Sequence, residues 1–229
     1  MNKASQTLVW DWPIRAFHWL LVAAFSVLIF TGKSDEDYFQ WHFYAGYIMS
    51  ALIIARVLYG FFGSKYARFS EFVKGPISVL QYAKSLLSSM KSPTKGDKHA
   101  GHNPIGALMV VLLIVLLSAQ WISGLFSSDE VFWYGPFYES ASDDTLETMA
   151  YIHHTLPDIM LYLVAFHIAA VLFHELKLGE RLVRAMITGR KSTAELVDGT
   201  DSASTPRIAT IICLGLSLAW LAWLISLPI

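Results

Sequence analysis

Residues 146–176 read LETMAYIHHTLPDIMLYLVAFHIAAVLFHEL, an apolar stretch carrying histidines at positions 153, 154, 167 and 174. His153 and His167 are 14 residues apart. At 100° per residue that is about 1400°, roughly 40° short of four full turns of an α-helix. Both imidazoles therefore leave one helix face, separated by about 21 Å of rise. That distance covers most of a bilayer core of roughly 30 Å. Ionisable or ligating side chains inside a membrane helix are costly and mark functional positions.

The rest of the chain agrees with a membrane setting. It has 229 residues, 55% of them hydrophobic and 15% charged, and its mean hydropathy is +0.46. Soluble domains carry about 25% charged residues. Five apolar segments emerge, at about Ile14–Thr31, His42–Phe62, Ile105–Phe126, Leu146–Leu176 and Ile208–Leu227. Each is near or above the roughly 20 residues a spanning helix needs, and none alternates as a barrel strand would. The N-terminal run Phe17–Phe30 imitates a signal peptide, but Phe30-Thr31-Gly32-Lys33 offers no small-x-small cleavage site. It reads as a retained first helix.

Charge is segregated between the connecting segments. Gly63–Pro104 and Lys177–Arg207 are basic, whereas Ser34-Asp35-Glu36-Asp37 and Ser127–Met149 are acidic. The positive-inside rule then places the N-terminus in the cytoplasm and the C-terminus outside. Within the first basic loop, Val79, Leu80, Ala83, Leu86, Leu87 and Met90 recur at helical spacing. They predict an amphipathic helix on the cytoplasmic surface, started by Pro76 and ended by Pro93-Thr94-Lys95-Gly96. Ser192–Pro206 reads as a polar linker.

Depth pairs the histidines. His18, early in the first span, matches His167, late in the fourth; His42, opening the second, matches His153. Four histidines matched in depth in two pairs make hydrogen-bonded packing residues a poor account of them. Bis-histidine ligation suits a haem iron that exchanges electrons without binding oxygen, so the pattern predicts two b-type haems. The single cysteine, Cys213, excludes an internal disulfide, and no Cys-x-x-Cys-His attachment motif exists, so haem would be held non-covalently.

Other residues are read around this frame. His154 lies roughly 140° from His167 on the helix, so a supporting or interfacial role is expected. His174 returns to the ligand face; a propionate, a quinone or water are its candidate partners. His99 and His102 are spaced for a metal, yet nothing clusters with them, and a polar loop is the simpler reading. Arg56, 14 residues after His42, is placed to pair a haem propionate; the alternative is a cation snorkelling to the headgroups. Gly32, Gly46 and Gly124 could admit a flat macrocycle or close helix contacts.

These residues resemble the bacterial cytochrome b561 group, which includes the b-type cytochrome subunits of nickel–iron hydrogenases. The resemblance covers roughly Val9–Arg190. It is carried by Pro13-Ile14-Arg15-Ala16-Phe17-His18-Trp19, Thr31-Gly32, His42-x-x-x-Gly46, Arg56-x-x-x-Gly60, Gly63-Ser64-Lys65-Tyr66-Ala67-Arg68-Phe69-Ser70, Gly101-His102-Asn103-Pro104-Ile105-Gly106-Ala107, and His153, His167 and His174. It implies a four-helix core with two haem b groups, liganded at His18, His42, His153 and His167, and electron exchange between a quinone and a redox partner. A fifth helix departs from the four-helix form.

The expectation is therefore an all-α integral membrane protein. A four-helix haem-binding bundle (residues 1–190) is followed by a linker (191–206) and an accessory fifth helix (207–229). It would carry electrons across a bacterial inner membrane, between the quinone pool and a periplasmic c-type cytochrome or hydrogenase-like protein. Membrane lipid is a partner and nucleic acid is not. A superoxide oxidase that reduces quinone is an alternative, though the acidic outer loops, with Lys33 as their only base, oppose attraction of an anion. A non-redox membrane anchor is the other alternative.

Overall fold

The computed structural model describes residues 6–34, 38–91, 99–128, 133–193, 196–197 and 200–227. Five helices are long and apolar enough to cross a membrane: α1 (Trp12–Lys33), α2 (Phe39–Phe62), α5 (Pro104–Gly124), α6 (Asp143–Lys177) and α8 (Arg207–Ser226). Each contains or closely matches one of the five apolar segments. The shorter helices are α3 (Phe69–Phe72), α4 (Pro76–Lys91) and α7 (Leu182–Thr188). Strands β1 (Gln6–Leu8) and β2 (Arg190–Ser192) pair antiparallel, with Thr7 opposite Lys191.

Local chemistry sets the helix ends. Asn103 accepts the Gly106 N–H at 2.7 Å through Oδ1 and caps α5. Pro104 follows, where its missing N–H costs no helical bond. Asp143 and Asp144 open α6, at the end where the helix dipole favours negative charge. At 35 residues α6 is about 52 Å long, well beyond a 30 Å hydrocarbon core. Gly189 closes α7 with φ 81°, the left-handed conformation that glycine adopts without a Cβ penalty. α4 forms as its periodicity predicts: Tyr82 is buried, while Ile77, Leu80 and Leu87 are exposed.

Contacts divide the chain into two units. The first comprises Met1–Ala16, Leu58–Leu112 and Val164–Thr210. Here Asp11, just before α1, is buried and accepts a short hydrogen bond from the Tyr59 hydroxyl. The β1–β2 ladder continues through Val9 N–H to Gly189 O at 2.8 Å. Residues of the polar stretch after β2 are tied in as well. Leu196 is buried, the Ala203 N–H reaches Leu8 O at 2.7 Å, and Asp201 pairs with Lys65 at 2.8 Å.

The second unit comprises Phe17–Val57, Leu113–Leu163 and Ile211–Ile229. Four helices share its core: Ala24 of α1, Met49 and Ile53 of α2, Leu117 of α5 and Met160 of α6. The fifth, α8, joins a separate cluster, where Leu224 and Trp220 pack with Phe43, Tyr47 and Leu125. Trp220 Nε1 donates to Ser50 Oγ at 2.9 Å. The four-plus-one arrangement read from the sequence holds in this packing.

Candidate functional site

His42 and His153 come together in the second unit. Their ring centroids are 6.1 Å apart, with planes at 82°. Two imidazoles that bind one metal from opposite sides lie about 6 Å apart by centroid. This follows from a metal–nitrogen bond of about 2 Å on each side plus the ring radius.

Each ring is held through Nδ1. Thr31 spends its hydroxyl proton on Val27 O at 2.8 Å, so its oxygen accepts Nδ1–H of His42 at 2.9 Å. The main-chain oxygen of Gln120 accepts Nδ1–H of His153 at 3.1 Å. A ring protonated at Nδ1, the form these oxygen acceptors suit, leaves the Nε2 lone pair for a ligand bond, with the second nitrogen fixing ring orientation.

Pro157 adds a device that periodicity does not reveal. It lies inside α6 and has no N–H, so the carbonyl four residues earlier loses its helical donor. That carbonyl belongs to His153. The side-chain amide of Gln120 donates to it instead, at 3.0 Å. Gln120 thus grips one residue twice, accepting from its ring and donating to its backbone. A proline four residues after a membrane histidine was the available signal for such a partner.

The glycines divide by role. A Cβ on Gly32 would lie 3.1 Å from His42 Cε1, and one on Gly124 only 2.9 Å from His153 Cε1. These two make room for the imidazoles rather than for a macrocycle. Gly46, one turn from His42, would direct a Cβ into open space. There the backbone leaves a gap on the ligand face, as a flat prosthetic group requires. The donor set and this gap fit a haem.

Residues 9–189 match the family described as prokaryotic cytochrome b561. The chain belongs to that family. It is also similar to a probable Ni/Fe-hydrogenase B-type cytochrome subunit of Rhodobacter capsulatus, 21% identical over 84% of each chain. A protein of the same description from Azotobacter vinelandii is 26% identical over 51% of this chain and 56% of its own. No solved structure matches. This cytochrome b561 is a multi-pass membrane protein of b-type, electron-transferring character.

The remaining candidates are placed as follows. His18 is half-buried on α1 and meets the Trp19 ring edge-on at 5.0 Å. His167 is half-buried on α6, between exposed Phe166 and Ile168. His18 falls in the second unit and His167 in the first. Arg56 is buried, 4% exposed, so its guanidinium does not reach out along the surface as a snorkelling cation would. His154 is exposed, as the helix-face argument requires. His174 is buried, with Nδ1 at 3.2 Å from Glu180 Oε1.

His102 lies between the rings of Trp10 and Phe72, at 4.7 and 4.8 Å, and His99 meets Tyr82 at 5.4 Å. Among the described residues no group of three or more His, Cys, Asp or Glu side chains is placed to hold a metal ion. Of the acidic segment Ser127–Met149, Glu139, Asp143, Asp144 and Glu147 are exposed; Asp129 and Glu130, like Asp35–Asp37, lie outside the described residues. Lys33 is paired with Asp158 at 2.8 Å.

Proposed function

We propose that this cytochrome is a dihaem carrier that moves electrons between the quinone pool and a periplasmic redox protein. The juxtaposition of His42 and His153, each anchored through Nδ1, carries the reading. These residues hold one haem b. His18 and His167, matched in depth by helix arithmetic, hold the second, with Arg56 pairing a propionate. Each haem would supply a one-electron carrier, and ligation by two histidines would leave no position for oxygen.

The chain's own residues orient the rings, exclude a Cβ beside them and bury the counter-charge. The domain is residues 1–190, in a bacterial inner membrane, with the N-terminus cytoplasmic on the strength of its loop charges. Relatives named as hydrogenase B-type cytochrome subunits support a hydrogenase-like partner, with a c-type cytochrome as the other class. Exposed Glu139, Asp143, Asp144 and Glu147 would steer a basic partner toward the N-terminal end of α6. Superoxide oxidation is the weaker reading, because the one basic residue of the outer loops is already paired.

Pyridine haemochrome analysis of the purified protein should give close to two haems per polypeptide, all extracted by acidic acetone. Reduction by a basic partner should slow as salt rises. A ratio near one ends the dihaem reading, and a salt-independent rate removes the acidic docking face.

A further inference from the structure

Three arginines of the first unit stand outside every role assigned above. Arg181, Arg184 and Arg190, with Lys191, Gln6 and Ser192, line an open concavity. The pocket is built by α7 and the β1–β2 ladder, which pairs Gln6 with Ser192. Among the described residues, no acidic side chain lines it. Elsewhere on the surface Lys33 is paired with Asp158, Lys65 with Asp201 and Arg68 with Glu71. None of the three arginines forms an ion pair with a described residue. Lys191 donates to His99 O at 2.9 Å. Like charges gathered in one concavity repel each other unless an anion joins them.

The surroundings identify the source of that anion. α7 begins five residues after α6 ends. Arg15, in the first turn of α1, donates from Nη1 to Ile187 O at 2.7 Å and so fastens the C-terminal end of α7 to the start of a spanning helix. At the end of α6 Leu176 is 77% exposed, and on α7 Ile187 is 57% and Val183 39% exposed. Val183 and Ile187 are four apart and make an apolar row on the short helix that carries Arg184 and is preceded by Arg181. Basic groups beside exposed apolar side chains, at the end of a membrane helix, match the division between a lipid's headgroup and its chains.

We propose that this pocket binds the phosphate of an anionic phospholipid headgroup. The planar forks of the arginines take the phosphate oxygens by paired N–H donors. Gln6 and Ser192 supply neutral donors at the rim. The lipid chains run along the exposed ends of α6 and α7.

The test uses the full chain, haem-loaded and delipidated, with phosphatidylglycerol as the probe. Native mass spectrometry should show retained phosphatidylglycerol over phosphatidylcholine at equal concentration. In the Arg181→Gln/Arg184→Gln/Arg190→Gln variant the retention should fall by at least about tenfold, since several charge-assisted bonds are lost and 1.4 kcal/mol is tenfold. The corresponding triple lysine variant, which keeps charge but not the fork, should fall between. Inorganic phosphate at the same concentration should neither bind measurably nor displace the lipid. An unchanged lipid preference in the glutamine variant overturns the proposal, as does phosphate binding that competes with the lipid, which would make this a site for a soluble anion. Should the triple variant not fold, Arg184→Gln alone, at an exposed position, must still weaken retention while the haem spectrum stays intact.

Discussion

His153 and His174 lie on the same helix, each bound through Nδ1, yet their partners differ in kind. His153 is gripped across helices by a neutral main-chain oxygen of Gln120. His174 meets the carboxylate of Glu180, six residues ahead in its own chain segment. The first contact fixes the ring against a neighbouring helix, with its centroid 6.1 Å from that of a second histidine. The second fastens the end of α6 to the turn that follows it. A buried histidine is therefore a ligand candidate by virtue of what anchors it and what it faces, more than by its presence in a span.

The sharpest way to break this contrast is substitution along α6. His153→Ala should remove one haem while leaving the other. His154→Ala and His174→Ala should leave both, because the first ring is exposed and the second is committed to Glu180. Haem stoichiometry with EPR of each variant decides this. Loss of a haem from His174→Ala with retention in His153→Ala would reverse the assignment.

A middle-sized effect is expected at Gln120. Gln120→Leu strips the donor from the His153 carbonyl, and a buried unsatisfied acceptor costs about 1–3 kcal/mol. Pro157→Ala restores the helical N–H that this carbonyl lacks. In the Pro157→Ala background the Gln120→Leu change should cost less, by a coupling of about 1 kcal/mol. Thermal unfolding of the four proteins measures the coupling, and the EPR signal of the haem at His153 reports ring orientation. Strict additivity would show that Gln120 and Pro157 do not act on one carbonyl.

Much of this was legible in the sequence, for identifiable reasons. Hydropathy locates five spans because a bilayer demands continuous apolar length, and α1, α2, α5, α6 and α8 fall on them. The helix angle separates His153 from its neighbour, and exposure bears out that separation. Gln120 escaped notice because a lone amide in an apolar run has no periodicity, and its meaning depends on a proline in another helix. The roles of Gly32 and Gly124 escaped because a small residue admits whatever is opposite it, which only the fold reveals. The β1–β2 ladder joins three-residue strands about 184 positions apart, too short to register as alternation.

The smallest effect concerns another buried polar group of the first unit. Asp11 is 1% exposed, and burial raises its carboxyl above the usual value of 3.8, against the opposing hydrogen bonds from Tyr59 and Ser64. Between 3.8 and that raised value the folded chain holds a proton that the unfolded chain has released. Stability must then fall as pH rises through the window, because the native state binds the extra proton. Asp11→Asn keeps an oxygen to accept the Tyr59 hydroxyl and removes the charge. Its thermal midpoint should lose this dependence, so the difference between native protein and variant should change in the variant's favour as pH rises from about 4. Haem content should be the same in both, since Asp11 touches neither His42 nor His153. Unfolding followed at a series of pH values supplies the difference curve. A curve flat across the window would mean that the carboxyl is solvated in the folded chain. Haem lost along with stability would mean instead that this polar cluster and the histidine site are coupled, and the contrast drawn between the ends of α6 would no longer separate anchoring from ligation.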